Sequence, residues 1–335
     1  MDTPVTPNAI LQLGTAFFGS RTLLSAVGLG VFTELAAGPL DGETLRLRLG
    51  LHDRAASDFF DALVALRMLE RTDAGYANAP ASALYLDRNK PSYVGAWLEM
   101  ADRRLFRIWD SLTAAMKSGR PQNEFGDADP FAAMYANAAA LESFAKEMTA
   151  VSLPVASALA EAFPWQRYET FIDIGAMQGA VPVLLAKRWP HLAGGGFDLP
   201  QVRPIFEAYV STHGLAGRLQ FHPGDFRREP LPAAAVLIMG HILVDWDLSM
   251  KKQLLQRAYA ALPKGGALVI YDMLIDDDRR ENAMALLMSL NMLIETAGGG
   301  TYTGADCIGW MRSAGFADVT VSRLPAAHSM LVGIK

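Results

Sequence analysis

The chain has a single cysteine, Cys307, among its 335 residues. One thiol excludes an intrachain disulfide framework and fits a reducing cytoplasm. Long hydrophobic runs are also missing: AAAVLIMG at 233–240 falls far short of the roughly 20 apolar residues that span a bilayer. The opening residues MDTPVTPNAI have neither a basic start nor an apolar core, so no signal peptide and no membrane partner are expected. Positive charge is not in excess. The formal net charge is −5, which argues against a nucleic-acid partner. The sequence holds no Cys/His cluster and no H-E-x-x-H motif, so no metal site is expected. Internal repeats and low-complexity tracts are absent too. What is present, 51% hydrophobic and 19% charged residues, describes a soluble globular chain with a generous core. Its length suits two domains, or one large domain with an elaboration.

Residues 8–90 have the pattern of small helices with a short β segment. The stretch LQLGTAFFGSRTLLSAVGLGVFTELAA is apolar and alanine-rich, interrupted by Gly28 and Gly30. Phe59, Phe60, Leu63, Leu66 and Leu69 recur at helical spacing, which predicts a helix over 53–71 with Asp53 as its N-cap. TDAGYANAP then predicts a turn and a short strand. Helix–helix–strand–strand is a winged-helix pattern. Residues 1–100 hold eight Lys/Arg against eleven Asp/Glu, the wrong balance for a DNA reader, so a dimerisation role is expected instead. From 92 to 165 the pattern is again helical. Trp97, Phe106, Trp109, Phe125, Phe131, Tyr135, Phe144 and Met148 are spread along it, most suited to core packing and a subset to lining a flat aromatic pocket.

From 170 onward strand-like segments alternate with helix-like ones: TFIDI, GGGFD, LQFHPGD, AAVLIMG, GALVIYD, then VTVSRL and SMLVGIK. That alternation predicts an α/β fold with a doubly wound, Rossmann-like parallel sheet, closed by an antiparallel hairpin across PAAH. Within it, FIDIGAMQGA at 171–180 runs from an apolar strand into a loop with Gly175 and Gly179, and Asp198 follows nineteen residues after Gly179. This layout sets backbone N–H groups and a helix N-terminus at one strand's end and a carboxylate at the next, where both ribose hydroxyls of an adenosine can be met. The spacing is Asp-x-Gly-x-x-x-Gly, not the dinucleotide G-x-G-x-x-G, and a purely structural glycine turn is the alternative.

Several segments recur in order: DIGAMQG at 173–179, FDLP at 197–200, GDF at 224–226, GHILVDWD at 240–247, LPKGGALVIYD at 262–272 and GADCIGWMRSAGF at 304–316. With them the chain resembles, over nearly its whole length, the class I S-adenosylmethionine-dependent small-molecule O-methyltransferases of the caffeate, acetylserotonin and hydroxyneurosporene type. The resemblance implies a winged-helix dimerisation domain over 1–95, a helical linker and acceptor-pocket region over 96–165, and a methyltransferase domain over 166–335. It implies a cytoplasmic homodimer that uses S-adenosyl-L-methionine, with S-adenosyl-L-homocysteine as product, on a small aromatic specialised metabolite. Asp173, Gly175, Gly179, Asp198, Leu199, Asp225, Phe226 and Met239 are then the cofactor-binding candidates. Asp198 would accept from the ribose, while Asp225 and Phe226 would flank the adenine; a turn role in PGD is the other option for Asp225.

One departure bears on mechanism. Relatives that methylate a phenol usually carry His-Asp-Trp in the catalytic segment, where this chain has Val244-Asp245-Trp246. A phenol with a pKa near 10 is only about 0.1% ionised at pH 7, and a positioned base is worth about 10²–10⁴-fold. Three explanations stand open. His241 serves as the base, sharing a helical face with Val244 if 241–244 forms a turn. The acceptor needs no strong base, being an acidic hydroxyl, a carboxylate, a ring nitrogen or an activated carbon, so that N- or C-methylation stands open beside O-methylation. Or the scaffold has become a non-methylating cyclase, lyase or isomerase, or a silent binding protein. Asp272, where relatives often carry a glutamate beside the base, is the second catalytic candidate. Met148, Asn291, Met288 and Met292 are acceptor-pocket candidates. Asp245 is expected to cap the helix starting at WDLSMKKQLL, with Trp246 packed under it.

Overall fold

The computed structural model describes residues 5–124, 134–325 and 327–335; Phe125 and Phe131 lie outside them. The chain divides into two compact units, Met1–Arg107 and Ile108–Lys335. In the first, short helices surround a core that includes Val27, Phe32, Leu45, Phe60 and Leu63. The amphipathic segment at 53 forms a helix only over Asp53–Ala65, and His52, not Asp53, is its N-cap, accepting from the Arg54 N–H. Leu66 is left exposed, and Leu69 opens strand β1 (Leu69–Thr72), which pairs antiparallel with β2 (Gly75–Asn78). Apolar residues at helical spacing ran through the turn because both elements bury a side against the same core. Among the described residues, no single helix is long and apolar enough to cross a membrane.

The second unit is built on a seven-stranded sheet in the order β5-β4-β3-β6-β7-β9-β8. Its strands are β3 (Thr170–Ile174), β4 (Ala193–Asp198), β5 (Leu219–Pro223), β6 (Val236–Gly240), β7 (Ala267–Asp272), β8 (Asp318–Arg323) and β9 (Ser329–Ile334). Strands β3 to β7 pair in parallel, while β9 runs antiparallel to β7 and β8, the hairpin expected across PAAH.

Alternation along each strand sorts the side chains to two cores. Phe171, Val236, Ile238, Val269 and Tyr271 pack with the helices Ala138–Ala162, Ala180–Arg188 and Arg203–Thr212 on one face. Ile172, Ile174, Leu237, Met239, Leu268 and Ile270 pack with the helices Leu248–Ala261 and Gly304–Ala314 on the other. Burial on both faces explains why the central strands read as unbroken apolar runs. Strand order reverses at β3, so the crevice beyond the carboxyl ends of β3, β4 and β6 is where this topology places a ligand.

Candidate functional site

That crevice holds a cavity of about 350 Å³. At its floor β3 gives way to Gly175, at φ +74°, and the loop ends at Gly179, at φ +84°, which caps the helix Ala180–Arg188. Both glycines are required twice over. Left-handed φ disfavours a side chain, and a Cβ would come within 2.4 Å of Ile242 at Gly175 and within 2.6 Å of the Phe206 ring at Gly179. The Gly175 N–H donates to the Phe197 carbonyl at 2.8 Å, which ties the loop to β4.

Asp198 ends β4 beside this loop. Its two oxygens accept from the Met177 N–H (2.9 Å) and the Leu199 N–H (2.7 Å), leaving lone pairs for a diol. Burial pushes its carboxyl up to about 6, against the pull of those two N–H groups. Asp173, one residue from the end of β3, is buried, and among the described residues no hydrogen bond holds its carboxylate. Burial, then the charge of Asp198, raises it well above the usual range.

Asp225 also lines the cavity, but its oxygens are engaged by the Arg227 guanidinium at 2.9 and 3.0 Å. Burial raises its carboxyl; the hydrogen bonds and charge of Arg227, with Arg228, outweigh that and leave it lowered. Phe226 and Trp246 meet edge to face at 5.9 Å, and both line the cavity. The helix Ala138–Ala162 supplies another wall through Phe144, Met148 and Ser152, spaced four apart on one face. Its Thr149 hydroxyl accepts from the Gln178 amide at 2.6 Å, tying this wall to the glycine loop.

Of the predicted cofactor residues, Asp173, Gly175, Asp198, Leu199, Asp225 and Phe226 line one cavity. Gly179 is not part of its wall; it caps the helix Ala180–Arg188 against the Phe206 ring. Met239 does not reach it: its position in β6 points it into the core among the helices Leu248–Ala261 and Gly304–Ala314, with no exposed surface. Met148 lines the cavity, whereas Met288, Asn291 and Met292 sit on the helix Ala283–Glu295 outside its wall. Asn291 is buried, its carbonyl oxygen accepting from the Trp109 indole N–H at 2.9 Å.

The catalytic candidates are placed differently from expectation. His241 is a cavity-wall residue at φ +55°, and the helical turn begins only at Leu243, so it shares no helical face with Val244. Its Nε2 lies 2.8 Å from Nε2 of His328. Burial and the second histidine lower His241 to about 3. Asp272 is 2% exposed behind the wall, its oxygens accepting from the Tyr302 hydroxyl and the Met273 N–H, each at 3.1 Å. Burial lifts it to about 7, against the Tyr302 hydrogen bond.

The helix cap is Asp247, which accepts from the Met250 N–H at 2.8 Å. Asp245 instead faces the cavity. Sequence reasoning also passed over Tyr271, Arg227 and Ser152 as wall residues. Ser152 was within reach, because 144, 148 and 152 share a helical face; nothing in the sequence marked Arg227 as the partner of Asp225.

Four carboxylates (Asp173, Asp198, Asp225 and Asp245) and one guanidinium (Arg227) line this cavity among the described residues. Such a wall suits an adenosine that carries positive charge. A buried carboxylate at Asp173 without a hydrogen-bond partner among the described residues, a doubly anchored one at Asp198 and a cradle that any Cβ would fill at Gly175 fit S-adenosylmethionine, with its ammonium, ribose diol and sulfonium. Fold and site therefore define a nucleoside-binding protein of the doubly wound class.

Comparison with known proteins narrows that class. An O-methyltransferase domain matches residues 109–317 and an O-methyltransferase dimerisation domain residues 11–88. The chain is 42% identical to the tetracenomycin polyketide synthesis 8-O-methyl transferase TcmO of Streptomyces glaucescens, over 98% of this chain and 97% of that one. It is 36% identical to the N,N-dimethyltransferase OxyT of Streptomyces rimosus, over 82% and 81%. The structure of human N-acetylserotonin methyltransferase in complex with S-adenosylmethionine superposes with a TM-score of 0.89 at 26% identity, covering 100% of this chain and 99% of that one. The chain belongs to the O-methyltransferase family and is an S-adenosylmethionine-dependent methyltransferase. These relatives are methyltransferases, which disfavours the cyclase, lyase or isomerase alternative.

Proposed function

We propose that the protein methylates an aromatic hydroxyl of a small, polycyclic specialised metabolite. The observation that carries this reading is the wall built by one face of the helix Ala138–Ala162, where Phe144 and Met148, with Tyr135, set flat and polarisable apolar surface beside the carboxylate cradle. The 42% identity to a polyketide 8-O-methyl transferase supports it. When bound, S-adenosylmethionine supplies an electrophilic methyl group on a sulfonium centre. In the proposed assignment Asp198 holds the ribose diol, Asp173 the amino-acid end, and Phe226 with Trp246 the adenine. Proximity and alignment supply much of the acceleration in such a transfer.

Residues 1–95 are assigned to homodimerisation, 96–165 to the linker and acceptor side, and 166–335 to the cofactor domain, in a cytoplasmic enzyme. The match of residues 11–88 to a dimerisation domain supports the first of these. Amine methylation is the second reading, favoured by Val244 and by the likeness to an N,N-dimethyltransferase, since a neutral amine needs no base before attack. The test is incubation with S-adenosylmethionine and polycyclic phenols or arylamines. Release of S-adenosylhomocysteine with a methyl ether supports the first reading, and release with an N-methyl product replaces it with the second.

A further inference from the structure

Val244 leaves the usual base position without an imidazole, yet the residue beside it is an acid that the fold has left uncommitted. Asp245 ends the turn Leu243–Asp245 and lines the cavity, half-buried. Because Asp247 caps the following helix, Asp245 has no capping duty, and among the described residues no hydrogen bond holds its carboxylate. The two catalytic candidates near Val244 are engaged. Both oxygens of Asp272 accept hydrogen bonds behind the wall, and His241 spends its Nε2 on His328. Asp173 is also uncommitted, but it lies at the tip of β3 beside Asp198, on the ribose and glycine-loop side.

The position of Asp245 is fixed by its backbone. The Gly300 N–H donates to the Val244 carbonyl at 2.7 Å, and the buried Lys251 ammonium donates to the Gly300 carbonyl at 2.8 Å. A Cβ at Gly299 would stand 2.8 Å from the carbonyl oxygens of both Val244 and Asp245. Gly299 thus lies against the turn at a distance that a Cβ would not permit, and the Gly300 N–H holds the turn through the Val244 carbonyl. The charged groups facing Asp245 are Asp272 at the end of β7, Glu295 at the end of the helix Ala283–Glu295, and Lys251 from the helix Leu248–Ala261. Burial first, then Asp272 and Glu295, push the Asp245 carboxyl well above the usual carboxylate range, while Lys251 pulls it back. A carboxylate made more basic in this way is better matched to accepting a proton near neutral pH than an exposed one.

We propose that the Asp245 carboxylate takes the proton of the methyl acceptor, the task that Val244 cannot perform. The proposal rests on the reading of the acceptor as an aromatic hydroxyl. The acceptor's O–H bond breaks and its proton passes to a carboxylate oxygen of Asp245. The freed electron pair forms the new bond to the methyl carbon, and the S–C bond that breaks leaves its pair on sulfur. Charge balances: carboxylate and sulfonium enter, and carboxylic acid and thioether leave.

The experiment compares wild type, Asp245→Asn and Asp245→Ala. Equilibrium binding of S-adenosylhomocysteine is read by calorimetry, and turnover is read with the phenolic probe 3-hydroxy-5-methyl-1-naphthoate, the acceptor named for a relative 33% identical to this chain. The expected result is S-adenosylhomocysteine binding like wild type in both variants and turnover lowered by about 10²–10⁴-fold. Added formate is expected to restore part of the Asp245→Ala rate and none of the Asp245→Asn rate, since only the former leaves room for a carboxylate. Wild-type turnover in Asp245→Asn overturns the proposal. So does a loss of S-adenosylhomocysteine binding that matches the loss of turnover, which makes Asp245 part of the cofactor cradle. Wild-type protein that leaves the naphthol unmethylated overturns the phenolic-acceptor reading, and this proposal falls with it.

Discussion

The Nε2 atoms of His241 and His328 stand 2.8 Å apart, close enough that one ring must donate and the other accept. Two imidazolium ions do not fit at that distance, and His241 is held neutral, down to about 3, by burial and by its partner. A histidine whose folded pKa lies below its unfolded value near 6.5 makes the unfolded chain the better proton binder as pH drops. Stability from this pair is therefore lost as pH falls through about 6.5 toward 3, by at most about 1.4 kcal/mol per pH unit. In urea titrations His241→Gln is expected to flatten that decline relative to wild type. Its turnover is expected to fall far less than that of Asp245→Asn; an equal fall returns the proton to His241.

Asp198 should carry the largest single share of cofactor affinity. Its carboxylate is aimed by two backbone N–H groups and has lone pairs left for the ribose hydroxyls. Asp198→Ala removes a charged acceptor and is expected to weaken S-adenosylhomocysteine binding by about 2–4 kcal/mol. Calorimetry measures it directly, and retained affinity would dismiss the ribose assignment.

Gly175 and Gly179 make a stability prediction as well as a binding one. Gly175→Ala meets both a φ of +74° and the Ile242 side chain at 2.4 Å. Strain of this kind costs on the order of 1–3 kcal/mol. The variant is expected to melt several degrees lower and to bind S-adenosylhomocysteine poorly, both read by thermal shift with and without ligand.

The glycine loop and its neighbouring acid were legible because their demands are local. A strand, two glycines at forced φ and an acid one strand later are fixed by short-range geometry, and Asp173, Gly175 and Asp198 came together as their spacing implied. The acceptor half was not. Met288, Asn291 and Met292 lie on an apolar helix whose rotation about its axis no spacing rule sets, and none of the three lines the cavity. Asp245 and Asp247 are both plausible caps in VDWDLS, and two residues of register decide which one caps and which one faces the cavity. The His241–His328 pair joins residues 87 apart in the chain, a contact that only the sheet order of β6, β7 and β9 creates.

Asp272 predicts a pH effect of the opposite sign to His241. Its folded pKa, about 7, lies above the ordinary aspartate value of 3.8 because burial outweighs the Tyr302 hydrogen bond. A raised carboxyl makes the folded state the better proton binder, so its stabilisation is present at low pH and is lost as pH rises from about 4 through 7. Asp272→Asn keeps an acceptor for Tyr302 and removes the ionisation. The difference in unfolding free energy between variant and wild type is expected to move in the variant's favour across that window, in denaturant titrations at each pH. A difference constant with pH would mean that Asp272 ionises with little cost in the fold.

Val244→His gives the sharpest comparison between the candidate proton acceptors. Val244 is buried at 5% exposure on the turn next to Asp245, with its carbonyl held by Gly300. An imidazole there restores the residue type that the family resemblance leads one to expect, at a stability cost from enlarging a buried apolar side chain. If Asp245 already accepts the proton, the single variant gains little turnover on a phenol, because a second base adds little once the first is in place. In an Asp245→Asn background the same imidazole has a task to perform, and Val244→His is expected to recover at least about tenfold of the lost rate, with activity now rising through the ordinary histidine range near 6.5. Recovery in the double variant without gain in the single one is a non-additivity that assigns both side chains to one proton. A large gain in the single variant means that the native turn supplies no base at all.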